Sequence, residues 1–417
     1  LRADGQDQDA PDYNYVGKWA GKDKIAKVDI YVVPTNTGLA LEKHSLAYAD
    51  YYNEPTKATD GTNNVVLTPK KAVKVAHLAG NEVQVYVLLN ASEKATAILN
   101  DATSANFATE YARVIELSTK EEAVASTKVE ENATAAGKIA KKNGTESETI
   151  MMTCLTPSPK ITLVKGATEN EAVAGVKNQA KVSVERTVAR VMVSIKAQTF
   201  QIKDKLEPAK VLGEIKDLTY VIGQGERQVY IQKQEGTAPN LTWKTPGSAF
   251  VPKEGTTDFN TQAAQWYDYS SLWVDYDANK ISSGTAIPTI TDYKQELGTV
   301  TKELETSLSG KFLLPNTHLH GDKGTTEYRK GNTAYILVRG TFVPKQEIFA
   351  DKGKKYSNGA PVPAYKAGDD FYVGTNGKYY VSMESVRDPQ AGGVKGMDAN
   401  RYVKGKVLYF AWLNPDV

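Results

Sequence analysis

The stretch Lys181–Ile195, KVSVERTVARVMVSI, has a period-2 apolar pattern that changes phase in its middle. Val182, Val184 and Val188 fall on one face of an extended chain, and Ala189, Val191, Val193 and Ile195 fall on the other. A one-residue slip in a period of two transfers the whole apolar set to the opposite face, so the segment either bulges near Val188 or leaves one core for another. The pattern predicts a seam between two β-domains, taken as residues 1–184 and 185–417. Arg186 and Arg190 interrupt the run at this seam and are read as carboxylate partners or edge covers, not as catalytic groups.

Two domains also suit a chain of 417 residues, which is too long for one comfortable core. Lys and Arg total 51 against 49 Asp and Glu, a balance that argues against nucleic acid as the main partner. The single cysteine, Cys154, cannot form an internal disulfide and removes every cysteine-based metal pattern, so stability must come from packing. The 23 tyrosines against nine phenylalanines suit half-buried strands, where a ring is covered and its hydroxyl stays wet. The first residues, LRADGQDQDAPDYNY, are polar and acidic and do not read as a signal peptide. Either the chain is cytoplasmic or a leader has been removed.

Taken in order, strands are expected at 23–33, 64–67, 72–78 and 82–90, then at 149–154 and 160–164 around Pro157-Ser-Pro159. Phe107, Tyr111, Val114, Ile115 and Leu117 approximate helical spacing, which predicts one long amphipathic helix over 106–126. Residues 133–148 read as a surface loop. Beyond the seam, strands are expected at 213–222, 227–231, 311–314, 333–341, 371–373 and 378–383, with Asn376-Gly377 as a hairpin signal. Gly223-Gln-Gly225 reads as another hairpin turn. Lys406–Leu413, KVLYFAWL, is apolar on both faces and is therefore expected to be a central strand. The fold class is mainly all-β.

Chemistry is sparse. His44, His77, His318 and His320 are few for a metalloenzyme, and His318-x-His320 lacks a third ligand placed by sequence. No nucleophile elbow, P-loop or complete dinucleotide fingerprint occurs. Four Asn-x-Ser/Thr matches, beginning at Asn90, Asn132, Asn143 and Asn240, are of a kind frequent by chance. Trp266, Tyr267, Tyr269, Trp273 and Tyr276 are dense enough to form a packed loop or an exposed contact patch. The reading is non-enzymatic, with no cofactor and no metal, and favours a structural or binding role.

Several segments in order resemble the fimbrillins, shaft subunits of the type V pili of Bacteroides-like bacteria, and most of all the short (minor) fimbria major subunit. They are VYVLLN at 85–90, VERTVARVMVSI at 184–195, FLLPNT at 312–317, GNTAYILVRGTFVP at 331–344 and GKVLYFAWLNP at 405–415. No one of them is specific; their order and spacing carry the likeness.

The resemblance implies two transthyretin-like Greek-key β-sandwiches with one or two short helices, in a lipoprotein precursor exported to the outer membrane and cell surface. It implies a fimbrium that supports adhesion and virulence, built by strand exchange between copies after an arginine-specific protease removes a leader and a first strand. Arg2-Ala3 stands where such a cut would fall; alternatively the chain simply begins there. The N-terminal domain would carry the acceptor groove, and Val407, Tyr409, Ala411 and Leu413 would lie near the donor segment. Family members usually continue past this strand, so either a donor tail is absent from this sequence or Lys406–Leu413 is itself the mobile element. Implied partners are other copies, accessory and anchor pilus subunits, the protease, and host or bacterial surface receptors. A non-polymerising surface adhesin or glycan-binding protein, working through Trp266, Tyr269, Trp273 and Tyr276, is the alternative.

Overall fold

The computed structural model describes residues 23–57, 59, 65–116, 139–143, 147–154, 156–191, 193–223, 225–226, 228–235, 248–249, 267–268, 285–289, 311–314 and 335–412. These residues are mostly β, in antiparallel sheets with few and short helices. The N-terminal sheet has the order Val184–Arg186, Met152–Cys154, Glu82–Leu89, Lys27–Pro34, Glu42–Ala47, with Ile161–Thr162 also on Glu82–Leu89. Its two central strands, KVDIYVVP and EVQVYVLL, are apolar at nearly every position because both faces are covered. Tyr31, Val33, Tyr86 and Leu88 enter one core, which also takes Leu99, Phe107, Tyr111 and Ile115. Val28, Leu89, Val32 and Val83 enter clusters on the opposite face.

The helix expected over 106–126 is interrupted within its described part, and residues 117–126 lie outside the described residues. Phe107–Tyr111 makes little more than one turn, and the chain then becomes a strand, Val114–Glu116. Packing overrides the helical spacing here: Phe107 meets Tyr31 and Tyr86 at ring-centroid distances of 5.0 and 4.9 Å, and Ile115 continues into the same core from an extended backbone. The longest described helix is instead Glu93–Asp101, begun by Ser92, whose hydroxyl accepts the Ala95 N–H. It buries Ala95 and Leu99.

Other local expectations change for related reasons. Residues 72–78 form no strand, because the N–H groups of Ala76 and His77 donate to the Glu42 carboxylate and that of Ala72 to Glu169. Within the expected 133–148 loop, Ala140–Asn143 pairs with Ser147–Ile150. Gly223 and Gly225 do not join a hairpin either. Val211–Gly223 pairs with Tyr335–Pro344, whereas Gln228–Tyr230 crosses to Val114–Glu116 in the N-terminal half. Asn376-Gly377 does close a hairpin, with Gly377 at φ +75° and Tyr372 opposite Tyr380.

The C-terminal sheet has the order Phe200–Lys203, Val211–Gly223, Tyr335–Pro344, Lys406–Trp412, with Thr285–Ala286 also on Val211–Gly223. Gly213 is required where the two long strands meet, since a Cβ there would stand 2.4 Å from the Val343 carbonyl oxygen. Lys406–Trp412 ends this order. Among the described residues it pairs on one edge alone, against the expectation of a central strand. A sequence apolar on both faces reports what covers the faces; edge pairing is a separate demand made by the backbone.

Between Tyr335–Pro344 and Lys406–Trp412, neighbours that a short turn could have joined, residues 345–404 form a lobe. It has its own sheet, Tyr379–Tyr380, Phe371–Gly374 and Ala399–Tyr402.

Candidate functional site

Three places in the fold bear on function. The first is the seam. Val182, Val184 and Val188 pack with the core of Tyr31, Tyr86 and Tyr111, and Val191, Val193 and Ile195 pack with the core of Ile215, Ile222 and Phe371. Ala189–Val191 pairs with Lys311–Leu313, where the same division recurs: Phe312 and Leu314 belong to the first core and Leu313 to the second. Val229 and Ile231 also cross into the first core.

Arg186 stands on the N-terminal side of this seam. Its Nε and Nη2 both donate to Asp23 Oδ2, at 2.7 and 2.5 Å. Arg190 contributes backbone pairing opposite Phe312; its side chain lies outside the described residues.

The second place is the corner where the described chain begins. Lys24 N–H donates to the Glu148 carbonyl at 2.6 Å, and Asp23 bridges to Glu148 in parallel. Asn90, in the left-handed region at φ +50°, binds this segment from the other side. Its Oδ1 accepts the N–H groups of Ala26 and Lys27 at 2.9 and 3.3 Å, and its Nδ2 donates to the carbonyls of Lys24 and Ile150 at 2.9 and 3.1 Å. The glycosylation-type match at Asn90 therefore has its amide committed to structure. This clamp is a feature that sequence reading missed; the signal was an Asn ending a strand, a residue type that tolerates positive φ.

The third place is the strand Lys406–Trp412. It runs antiparallel to 335–341, with Trp412 opposite Tyr335 and Lys406 opposite Thr341. Val407 and Ala411 lie half-buried against the C-terminal core, while Tyr409, on the same face, is 47% exposed. Leu413, Arg2, Ala3, Trp266, Tyr269, Trp273, Tyr276, His318 and His320 lie outside the described residues.

Cys154 is buried, 3.0 Å from the Tyr111 hydroxyl, and burial pushes the pKa of both groups up. Among the described residues no three His, Cys, Asp or Glu side chains come together as a metal would need. No described helix is long and apolar enough to cross a membrane.

No family model matches the chain. Two Mfa1 minor fimbrium subunits from Porphyromonas gingivalis are each 27% identical to it, over 97% of this chain and 70% of their own length. Among solved structures, two proteins assigned to cell adhesion from Parabacteroides distasonis ATCC 8503 align loosely. One covers 77% of this chain and 75% of its own at 12% identity and a TM-score of 0.35. The other covers 97% and 94% at 11% identity and a TM-score of 0.34.

Proposed function

We propose that the chain is a fimbrillin and a structural subunit of a cell-surface fimbria that supports adhesion; it is 27% identical to minor fimbrium subunits along 97% of its length. The near full-length homology carries this reading. Relatives that are fimbrial subunits favour a non-catalytic role.

The mode of assembly we propose is strand exchange between copies, triggered by arginine-specific proteolysis at Arg2–Ala3 of an outer-membrane lipoprotein precursor. Accessory and anchor subunits would complete the fimbrium. The chain is taken as two β-domains divided near residue 184, the N-terminal one carrying the acceptor groove.

Physical support comes from what a strand missing from such a sheet would be worth. A sandwich opened by one strand exposes an apolar trough and a row of unpaired backbone groups, which a neighbour's strand can fill. Burying about five side chains at about 1.5–3 kcal/mol each gives a gross gain on the order of 8–15 kcal/mol before association and ordering costs. Head-to-tail insertion without a closing rotation generates a filament.

The test is to treat the natural precursor with an arginine-specific protease and follow SDS-resistant ladders and electron micrographs. Filaments that appear on cleavage support the reading; cleaved protein that stays monomeric under all assembly conditions sinks it.

A further inference from the structure

Two Asn-Gly pairs lie in the 345–404 lobe, Asn358-Gly359 and Asn376-Gly377, and each sits at a turn. Asn-Gly is the dipeptide most open to spontaneous deamidation, because glycine has no Cβ to hinder its nitrogen as it approaches the preceding side chain.

The two turns match closely. Gly359 and Gly377 are both left-handed, at φ +86° and +75°. Their N–H groups donate to the carbonyls of Tyr356 and Gly374, at 2.8 Å in both cases. Asn358 Oδ1 accepts the Ala360 N–H at 2.9 Å, and Asn376 Oδ1 accepts the Lys378 N–H at 3.0 Å. Both asparagines are exposed.

They differ at the group that has to leave. Asn376 Nδ2 donates to Tyr380 Oη at 2.8 Å, and that hydroxyl donates in turn to the Gly392 carbonyl at 3.0 Å from a side chain that is 0% exposed. Asn358 Nδ2 makes no hydrogen bond among the described residues.

Deamidation begins when the glycine nitrogen attacks the asparagine Cγ. An N–C bond forms, the Cγ–Nδ2 bond breaks and ammonia leaves with the proton of the glycine N–H; water then opens the succinimide to aspartate or isoaspartate. The side chain must swing toward the glycine to react, and the bond to Tyr380 opposes that swing at Asn376. We propose that Asn358 is a site of spontaneous deamidation whose product releases the 356–360 turn from Asp388, and that Tyr380 keeps Asn376 intact.

The release follows from what the turn carries. Ser357 donates its N–H and its hydroxyl to the Asp388 carboxylate at 2.6 and 2.7 Å, and the Tyr356 N–H donates to the Ala360 carbonyl at 2.8 Å. The Ser357 N–H, and after it the Ser357 hydroxyl, hold the Asp388 pKa down, so this carboxylate is charged at neutral pH. A carboxylate at position 358 sets a like charge one residue from those two donors. The isoaspartyl form also lengthens the main chain inside the turn.

The test is incubation of the full chain at mildly alkaline pH, folded and in urea, with peptide mapping by mass spectrometry. Dividing each folded rate by the rate of the same pair in urea removes the effect of local sequence. By that ratio Asn376 is expected to react about two- to tenfold more slowly than Asn358, the equivalent of one net hydrogen bond. Tyr380→Phe should raise the Asn376 rate by the same factor and leave Asn358 unchanged, and the Asn358 rate in that variant shows whether its lobe stays folded. Equal ratios in the wild type, an intact Asn358 in the folded chain, or a slow Asn376 in Tyr380→Phe each overturn the proposal. Asn358→Asp sets the product charge in place and is expected to speed amide exchange at Ser357 by about two- to fivefold; unchanged exchange there overturns the release.

Discussion

Phe312 and Leu313 are adjacent in the chain and belong to different cores. Phe312 packs with Tyr31, Phe107 and Tyr111, while Leu313 packs with Ile215, Ile336 and Phe371. The strand that carries them, Lys311–Leu313, gives Phe312 to one core and Leu313 to the other, and its partner Ala189–Val191 adds Val191 to the second. Two cores that share a ribbon are expected to unfold together.

Phe312→Ala should therefore cost about 3–5 kcal/mol, the usual range for a buried phenylalanine, and should move one calorimetric transition as a whole. Two transitions, of which only one shifts, would show the cores to be independent. By the same logic, a fragment ending at residue 200 lacks Val229, Ile231, Phe312 and Leu314 and should show no dispersed NMR spectrum.

Arg186→Gln removes both donors to Asp23 while keeping most of the stem. Arg186 is about a third exposed, so the pair contributes on the order of 1 kcal/mol. The sharper expectation is local: limited proteolysis should gain a site within residues 23–27 while the melting temperature changes little. An unchanged digestion pattern would remove the clamp from the account.

Asn90→Ala leaves the Ala26 and Lys27 N–H groups without their acceptor, and the Lys24 and Ile150 carbonyls without their donor. A loss of about 2–3 kcal/mol is expected in chemical denaturation. Asn90→Asp keeps the acceptor but sets a carboxylate against two carbonyls, so it should recover little of that loss. Full recovery would mean that the two amide donations are unimportant.

Glu171 closes a capping box with Thr168 at the start of Glu169–Val173 and also binds Lys177. The Lys177 hydrogen bond, followed by those from Thr168, lowers its pKa to about 2. A carboxylate with a depressed folded-state pKa supports the fold above its unfolded value and loses that support as pH falls through the folded one. Exchange at the Glu171 and Ala172 amides should accordingly rise, after intrinsic-rate correction, between about pH 4 and pH 2. A carboxyl titration midpoint near 4.3 would contradict the capping geometry.

What could be read in advance was set by periodicity. The strands at 27–34, 82–89 and 335–344 announce themselves through apolar runs and β-branched residues, and Asn376-Gly377 marks its own hairpin. The misread segments are those whose backbone partners lie far away in sequence. Residues 72–78 look like a strand, yet their N–H groups turn to Glu42 and Glu169, and 228–231 look like half of a hairpin, yet pair with 114–116. Asn90 and Arg186 were visible as residue types; their partners at 23–27 were not.

Alternation along each strand was thus determined by the sequence alone, because side-chain direction in an extended chain depends on nothing beyond position parity. The assembled structure decided which core received each face and where Lys406–Trp412 stands in its sheet, since pairing and coverage depend on segments hundreds of residues apart.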